Sequence, residues 1–409
     1  MIYLINKKDN YDLKLIMNDV NSNLENVEKK SQSFWTKKNI IWGIIFVVIL
    51  LLIIVFTSIY LFNIDFSQIV QLVNNNSLAG KEGFLIGLIL AYIYQWFWNS
   101  FCIFYSARKH YVKAKWYEWI IFGATIIFIN GITPFSLGSE PYKVYWLSRH
   151  GLTSKESLLI VSSISIYWTI TQIVLTWPSF IIISTRYNEI ISQPQGTLAY
   201  WFSFGGMILD IIVFSSLVTV SISSKFHLFL ANQYNKILHK FKLPYSSKEE
   251  LISEFREKAI FKKAYIAELK RWDCVLIQLI GTSCMALMQY FSVYFAIQLL
   301  NVKGISQLSV EDIFNVSNVA ISGNNFIPIP GAEGSIQIIL SIFIQAFAGP
   351  TIVIDQTTKE QLNQAIFVWR SFLFYLPVIT GLLFLGYVLW YHIHDEKHGN
   401  WKKIKKSRF

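Results

Sequence analysis

Two short stretches hold the residue types that could recognise a charged group inside an otherwise apolar chain. The first is "TPFSLGSEPYK" at 133–143, where Pro134 and Gly138 interrupt a helical run and Glu140 stands three residues before Lys143. Residues three apart share a helix face, so this carboxylate and ammonium can neutralise each other. The broken backbone frees N–H and C=O groups for a polar ligand, which lipid tolerates only where protein or water covers them. The second stretch carries Asn324, Asn325, Pro328, Pro330, Gly331, Glu333 and Gly334. Its small residues around Glu333 allow a backbone or a lipid head to approach closely. Arg370 can snorkel, pair with Glu333 or grip a lipid phosphate. Asp210 lies near the middle of another apolar run, where it is protonated, hydrogen-bonded to a neighbouring helix or part of a proton relay; a structural or gating role is favoured. A solvated loop with an incidental ion pair stays open as the plain alternative for Glu140 and Lys143.

The elements that must position these groups are membrane spans. The chain has 409 residues, 53% hydrophobic and 15% charged, with a mean hydropathy of +0.41. Soluble proteins carry about 25% charged residues. Runs of the roughly twenty apolar residues needed to cross a bilayer occur at 40–62, 83–106, 158–183, 198–221, 272–300 and 362–391. Two shorter pairs remain, 117–133 with the segment after Pro134, and 313–326 with 335–349. A Pro- and Gly-bearing stretch splits each pair.

Basic residues fix the sidedness. Lys and Arg crowd the N-terminal tail, 107–116, 222–271 and the C-terminal tail, so all four are expected on the cytoplasmic side. That count closes when 117–157 and 313–349 each enter the membrane and return to the same side. The predicted fold is therefore an all-α polytopic membrane protein with six full spans and two re-entrant helical hairpins in inverted halves; eight spans is the alternative. The predicted organisation is a cytoplasmic tail (1–39), a membrane part with the first hairpin (40–221), a basic amphipathic insert (222–271), a membrane part with the second hairpin (272–391) and a basic cytoplasmic tail (392–409). The fragments "PFSLGSE" and "PIPGAEG" echo each other across the halves, as transporters with a midplane site between inverted repeats do.

Residues 226–241 place Phe226, Leu230, Tyr234, Ile237, Leu238 and Phe241 on one face, either on an anionic leaflet or packed as a connector. The formal charge of +11 lies beside apolar spans, which points to lipid surfaces and not to nucleic acid. Cys102, Cys274 and Cys284 have no metal-type spacing and read as small core residues. His392, His394 and His398 read as part of a basic tail, and no metal or cofactor is expected. No nucleotide-binding, metalloprotease or serine-hydrolase motif occurs in the sequence.

The two hairpins resemble the family of lysylphosphatidylglycerol synthetase transmembrane regions, which includes the flippase domain of multiple peptide resistance factors. The residues that carry the likeness are Pro134–Glu140 with Lys143, "PIPGAEG" at 328–334 and "WRSFLFYLP" at 369–377. The resemblance covers roughly 40–391. It implies movement of a head-group-modified phospholipid between leaflets of the cell membrane, with membrane phospholipids as partners and a separate lipid-modifying synthase making the substrate. The family's frequent Arg after the first hairpin is replaced by "SISIYWTITQ" at 163–172. The chain ends soon after its last span, so no aminoacyl-transfer domain is expected. An integral-membrane enzyme or accessory protein of polyprenyl- or glycolipid synthesis, and a lipid-binding scaffold, are the competing readings. A homo-oligomer is compatible with all three.

Overall fold

A computed structural model of the chain describes residues 52, 56, 67, 80–110, 112–133, 138–222, 265–324, 329–349 and 354–397. The first predicted span apart from Leu52 and Phe56, the helix expected over 226–241, and the two tails up to 39 and from 398 lie outside the described residues. The chain divides into two compact units, Met1–Phe56 and Thr57–Phe409. The second unit holds α1 (Glu82–Ala107), α2 (Trp116–Ile132), α3 (Ser139–Arg149), α4 (Ser154–Ser184), α5 (Tyr187–Ile191), α6 (Gly196–Ile222), α7 (Trp272–Leu300), α8 (Val310–Gly323), α9 (Ser335–Ala348), α10 (Gln356–Arg370) and α11 (Leu376–Lys397). A single π-turn, Ser371–Tyr375, joins α10 to α11.

Among the described residues, five stretches are long and apolar enough to cross a membrane: α1, α4, α6, α7 and the continuous α10–α11 segment. The protein is an all-α, multi-pass membrane protein. Helices α2 and α9, at 17 and 14 residues, are apolar but shorter.

Capping explains where several helices start. Helix α4 begins a turn earlier than hydropathy indicates because Thr153 and Glu156 cap it reciprocally. The Glu156 N–H donates to Thr153 Oγ1 at 3.2 Å, and the Thr153 N–H donates to Glu156 Oε2 at 2.9 Å. Asp355 starts α10 at 356, not 362, by accepting the Thr358 N–H at 2.7 Å. The Thr358 hydrogen bonds, aided by Lys303, hold the Asp355 carboxyl below its usual range. Ser309 opens α8 by accepting the Asp312 N–H at 3.0 Å.

Packing then places the two short pairs inside the bundle. Helix α2 lies along α1 and α11, and α3 folds back against α2 and α4. Helix α8 is surrounded by α4, α6, α7 and α9. Lipid is as apolar as the side chains, so association in the membrane depends on close fit at small residues. The crossing of α6 and α8 shows this: a β-carbon on Gly206 would stand 2.9 Å from the Gly323 Cα. Val174, Ile181 and Leu383 point outward, as lipid-facing side chains do.

Candidate functional site

Arg370 ends α10, fourteen residues after Gln356, which puts it about 21 Å along the helix at 1.5 Å per residue. At that depth a charge must be covered, and this one is: its side chain is 7% exposed and its partner Glu333 3%. Arg370 Nη2 donates to the Gly331 carbonyl oxygen at 2.5 Å and to Glu333 Oε2 at 3.2 Å. The guanidinium lies over the Phe374 ring, 4.1 Å from its centre. Glu333 Oε1 accepts from Gln337 Nε2 at 2.7 Å and from Tyr375 Oη at 2.8 Å. Of the three roles open to Arg370 in the sequence, pairing with Glu333 is the one formed. One donor is unspent, since Arg370 Nε is buried without a hydrogen-bond partner.

The backbone between α8 and α9 makes this possible. Gly331 and Gly334 have φ of 62° and 84°, and Ala332 between them is also left-handed at 58°. These turns aim the Gly331 carbonyl at Arg370 and deliver the chain to the start of α9. The Gly334 N–H is taken by Gln337 Oε1 at 2.8 Å. Asn324, buried at the end of α8, offers Oδ1 to the Ser335 hydroxyl, which also reaches the Ala332 carbonyl at 3.2 Å. The break thus unites Asn324, Gly331, Glu333, Gly334 and Arg370. Pro330 contributes to its backbone turn; Asn325 and Pro328 lie outside the described residues.

The first break is built differently. Thr133 Oγ1 accepts the Gly138 N–H at 3.1 Å, and a β-carbon on Gly138 would collide with the Thr133 side chain. Pro134 lies outside the described residues. Glu140 sits in the first turn of α3, where the helix dipole favours a carboxylate. Its Oε1 accepts from Lys143 Nζ at 2.7 Å and its Oε2 from Ser165 Oγ on α4 at 3.2 Å. This pair is less enclosed than the other, with Glu140 34% exposed. Ser165 carries no signal in the sequence beyond its place in an apolar run.

A third polar group has no counterpart among the sequence expectations. Tyr290 on α7 donates to Gln172 Oε1 at 2.7 Å; Ser322 on α8 reaches the same oxygen at 3.3 Å and Thr176 at 2.9 Å. Thr176 donates to Asn318 Oδ1 at 2.9 Å, and Asn318 Nδ2 donates to the Leu175 carbonyl and to Ser179 Oγ. Gln172, Thr176, Asn318, Ser322 and Tyr290 are all buried. Their spacing, 172 with 176 and 318 with 322, is the available sequence sign, one face on each of two helices. Asp210 is half-buried on α6, the helix that packs against both α4 and α8.

The two breaks meet. Gly131, at the end of α2, and Gly331 both lie against the Phe374 ring. A family of membrane regions, described as the lysylphosphatidylglycerol synthase TM region, matches residues 40–391 and so takes in both breaks and the Arg370 span. The chain belongs to that family. The match is to the membrane, flippase-type region of the family alone. Two relatives are similar over most of their length. A Mycoplasma pneumoniae protein called "Uncharacterized protein MG306 homolog" is 31% identical over 366 residues, covering 88% of this chain and 91% of the relative. The Mycoplasma genitalium "Uncharacterized protein MG306" is 31% identical over 368 residues, covering 88% and 92%. No solved structure matches.

Proposed function

We propose that this protein is a lipid translocase that passes a head-group-modified phospholipid, such as lysyl-phosphatidylglycerol, between leaflets of the cell membrane. The observation that carries the reading is the Arg370–Glu333 pair, buried at membrane depth where a helix break meets the end of α2. Ionisable residues at membrane depth are rare because they are expensive, and those present commonly mark a substrate pathway. Family membership and the five long apolar helices support the same reading.

In this reading 117–157 and 313–349 are re-entrant hairpins of opposite orientation among six full spans, with both termini and the 222–271 insert in the cytoplasm. Glu140, Lys143, Glu333, Arg370, Asn324 and Asn325 recognise the head group, while the tails stay in the bilayer. The hairpin backbone at Pro134, Gly138, Pro328, Pro330, Gly331 and Gly334 lets the site open and close, and Asp210 gates it. A separate synthase makes the lipid.

The test is leaflet exchange in proteoliposomes with fluorescent phosphatidylglycerol and its lysyl derivative. The expected result is protein-dependent exchange that falls about tenfold or more in Glu140→Gln, the scale of one lost charge-assisted hydrogen bond. Exchange no faster than in protein-free liposomes would end the translocase reading.

A further inference from the structure

The chemistry around Arg370 is more specific than head-group binding. Taking the protein as a translocase, on which the proposal rests, we infer that the break between α8 and α9 is a phosphate subsite. Arg370 is its ligand, and Glu333 serves head-group recognition through Arg370, which it positions.

Four observations lead there. First, Glu333 is fully engaged: Arg370, Gln337 and Tyr375 all donate to it. A carboxylate so covered has little left for a cationic head. Second, Arg370 retains an N–H with no partner. Nε is buried and unsatisfied, on a side chain 7% exposed and aimed by Nη2 at the Gly331 carbonyl. A buried guanidinium N–H without an acceptor is costly, and a phosphate oxygen is the acceptor that guanidinium geometry fits best. Third, α9 begins beside Arg370's partner. Its first-turn N–H groups have no acceptor within the helix and carry the positive end of its dipole. Fourth, Gly331, Ala332 and Gly334 all hold positive φ on the approach to that terminus. These turns hold the Gly331 carbonyl against Arg370 Nη2; their own N–H groups are spent, Ala332 on the Ile329 carbonyl and Gly334 on Gln337 Oε1, so the anion's donors are Arg370 Nε and the first turn of α9.

The first break has the complementary character. Glu140 is the more open carboxylate, 34% exposed against 3% for Glu333. Its donors are one ammonium and one hydroxyl. The passenger is therefore a phosphodiester bearing an amine: phosphate to Arg370 and α9, ammonium to Glu140.

Phosphate chemistry alone does not separate a lipid from a soluble phosphate ester, so the experiment has an arm for each. Full-length protein in uncharged detergent is titrated with phosphatidylglycerol, with diacylglycerol of the same tails, and with glycerol phosphate, and affinity is read from the thermal midpoint. Phosphatidylglycerol should stabilise the wild type and diacylglycerol should not. Arg370→Lys keeps the charge but loses Nε, and should bind about tenfold more weakly. Glu333→Gln/Arg370→Gln, which removes both charges together, should lose the effect entirely. Glu333→Gln alone leaves Arg370 charged but less firmly placed, and should weaken the effect by less than the double variant does. Equal stabilisation of wild type and the double variant by phosphatidylglycerol would overturn the phosphate subsite. Equal stabilisation by glycerol phosphate would keep the subsite and assign it to soluble phosphate. Intact phosphatidylglycerol binding without leaflet exchange would instead remove the translocase reading and leave the subsite standing.

Discussion

Gly331 lies so close to Gly131 that a β-carbon on Gly331 would stand 3.0 Å from the Gly131 carbonyl oxygen. One residue belongs to the break between α8 and α9, the other to the end of α2, and the Phe374 ring fills the corner between them. This contact joins the two interrupted helix pairs. It requires both residues to be small, and the positive φ of Gly331 adds a second reason at that position.

Gly331→Ala is accordingly expected to cost more than the about 1–2 kcal/mol of a left-handed non-glycine residue, because its methyl would run into Phe374. Gly334→Ala meets no atom within 4 Å and should show only the backbone cost, about 1–2 kcal/mol. Unfolding of the two variants in detergent compares them directly. Equal losses would mean that the Phe374 ring moves aside freely.

The buried ion pair sets a second expectation. Glu333→Ala leaves Arg370 without its carboxylate and should destabilise the protein by about 3–5 kcal/mol, as should Arg370→Ala. The double variant should lose less than the sum. A double-mutant cycle of unfolding free energies measures the difference, and strict additivity would show that the pair is not energetically coupled.

Asn318 holds α8 to α4 through both ends of its amide. Asn318→Ala should cost about 1–3 kcal/mol by leaving Thr176 and the Leu175 carbonyl short of partners. Asn99→Ala breaks one bond within its own helix and should cost less. The pair of thermal midpoints decides whether the network is structural glue between the helices.

Sidedness can be read chemically. Arg108 at the end of α1 is paired with Asp273 at the start of α7, so Lys109 lies at that end of α7 and Lys303 follows the other. Lys109→Cys should react with an impermeant maleimide only from the cytoplasm, and Lys303→Cys only from outside, in a background with Cys102, Cys274 and Cys284 replaced by Ser. Labelling of both from one side would break the inverted arrangement.

Hydropathy locates the five long helices described, and rare charges in apolar runs mark Arg370, Glu333 and Glu140. Those signals are strong because each is expensive in lipid. Pairing of Arg370 with Glu333 is one of three outcomes open in the sequence, since choosing among them needs the Gly331 turn. The Gln172–Asn318–Tyr290 network is invisible there for a different reason: Gln, Thr, Asn and Ser barely change the mean hydropathy of a span, and only the α4–α8 crossing brings them together. Gly131 gives no sign at all. Its role depends on a ring contributed from far along the chain. Helix starts at 154 and 356 escape a hydropathy reading because caps extend a helix beyond its apolar run.

The π-turn at Ser371–Tyr375 has a consequence for how force passes through the last span. It holds one more residue than an α-turn, directly after Arg370 and within the segment that carries Phe374 and Tyr375. Drawing that residue out would rotate everything beyond it by about 100°. Tyr375 would swing off Glu333, and Gly381 would leave the α2 backbone that it now touches. A span able to slip by one tooth is a gear, not a rod. The same helix grips one broken pair through Arg370 and packs on the other through Gly381, so a one-residue slip at this turn would rotate the first against the second.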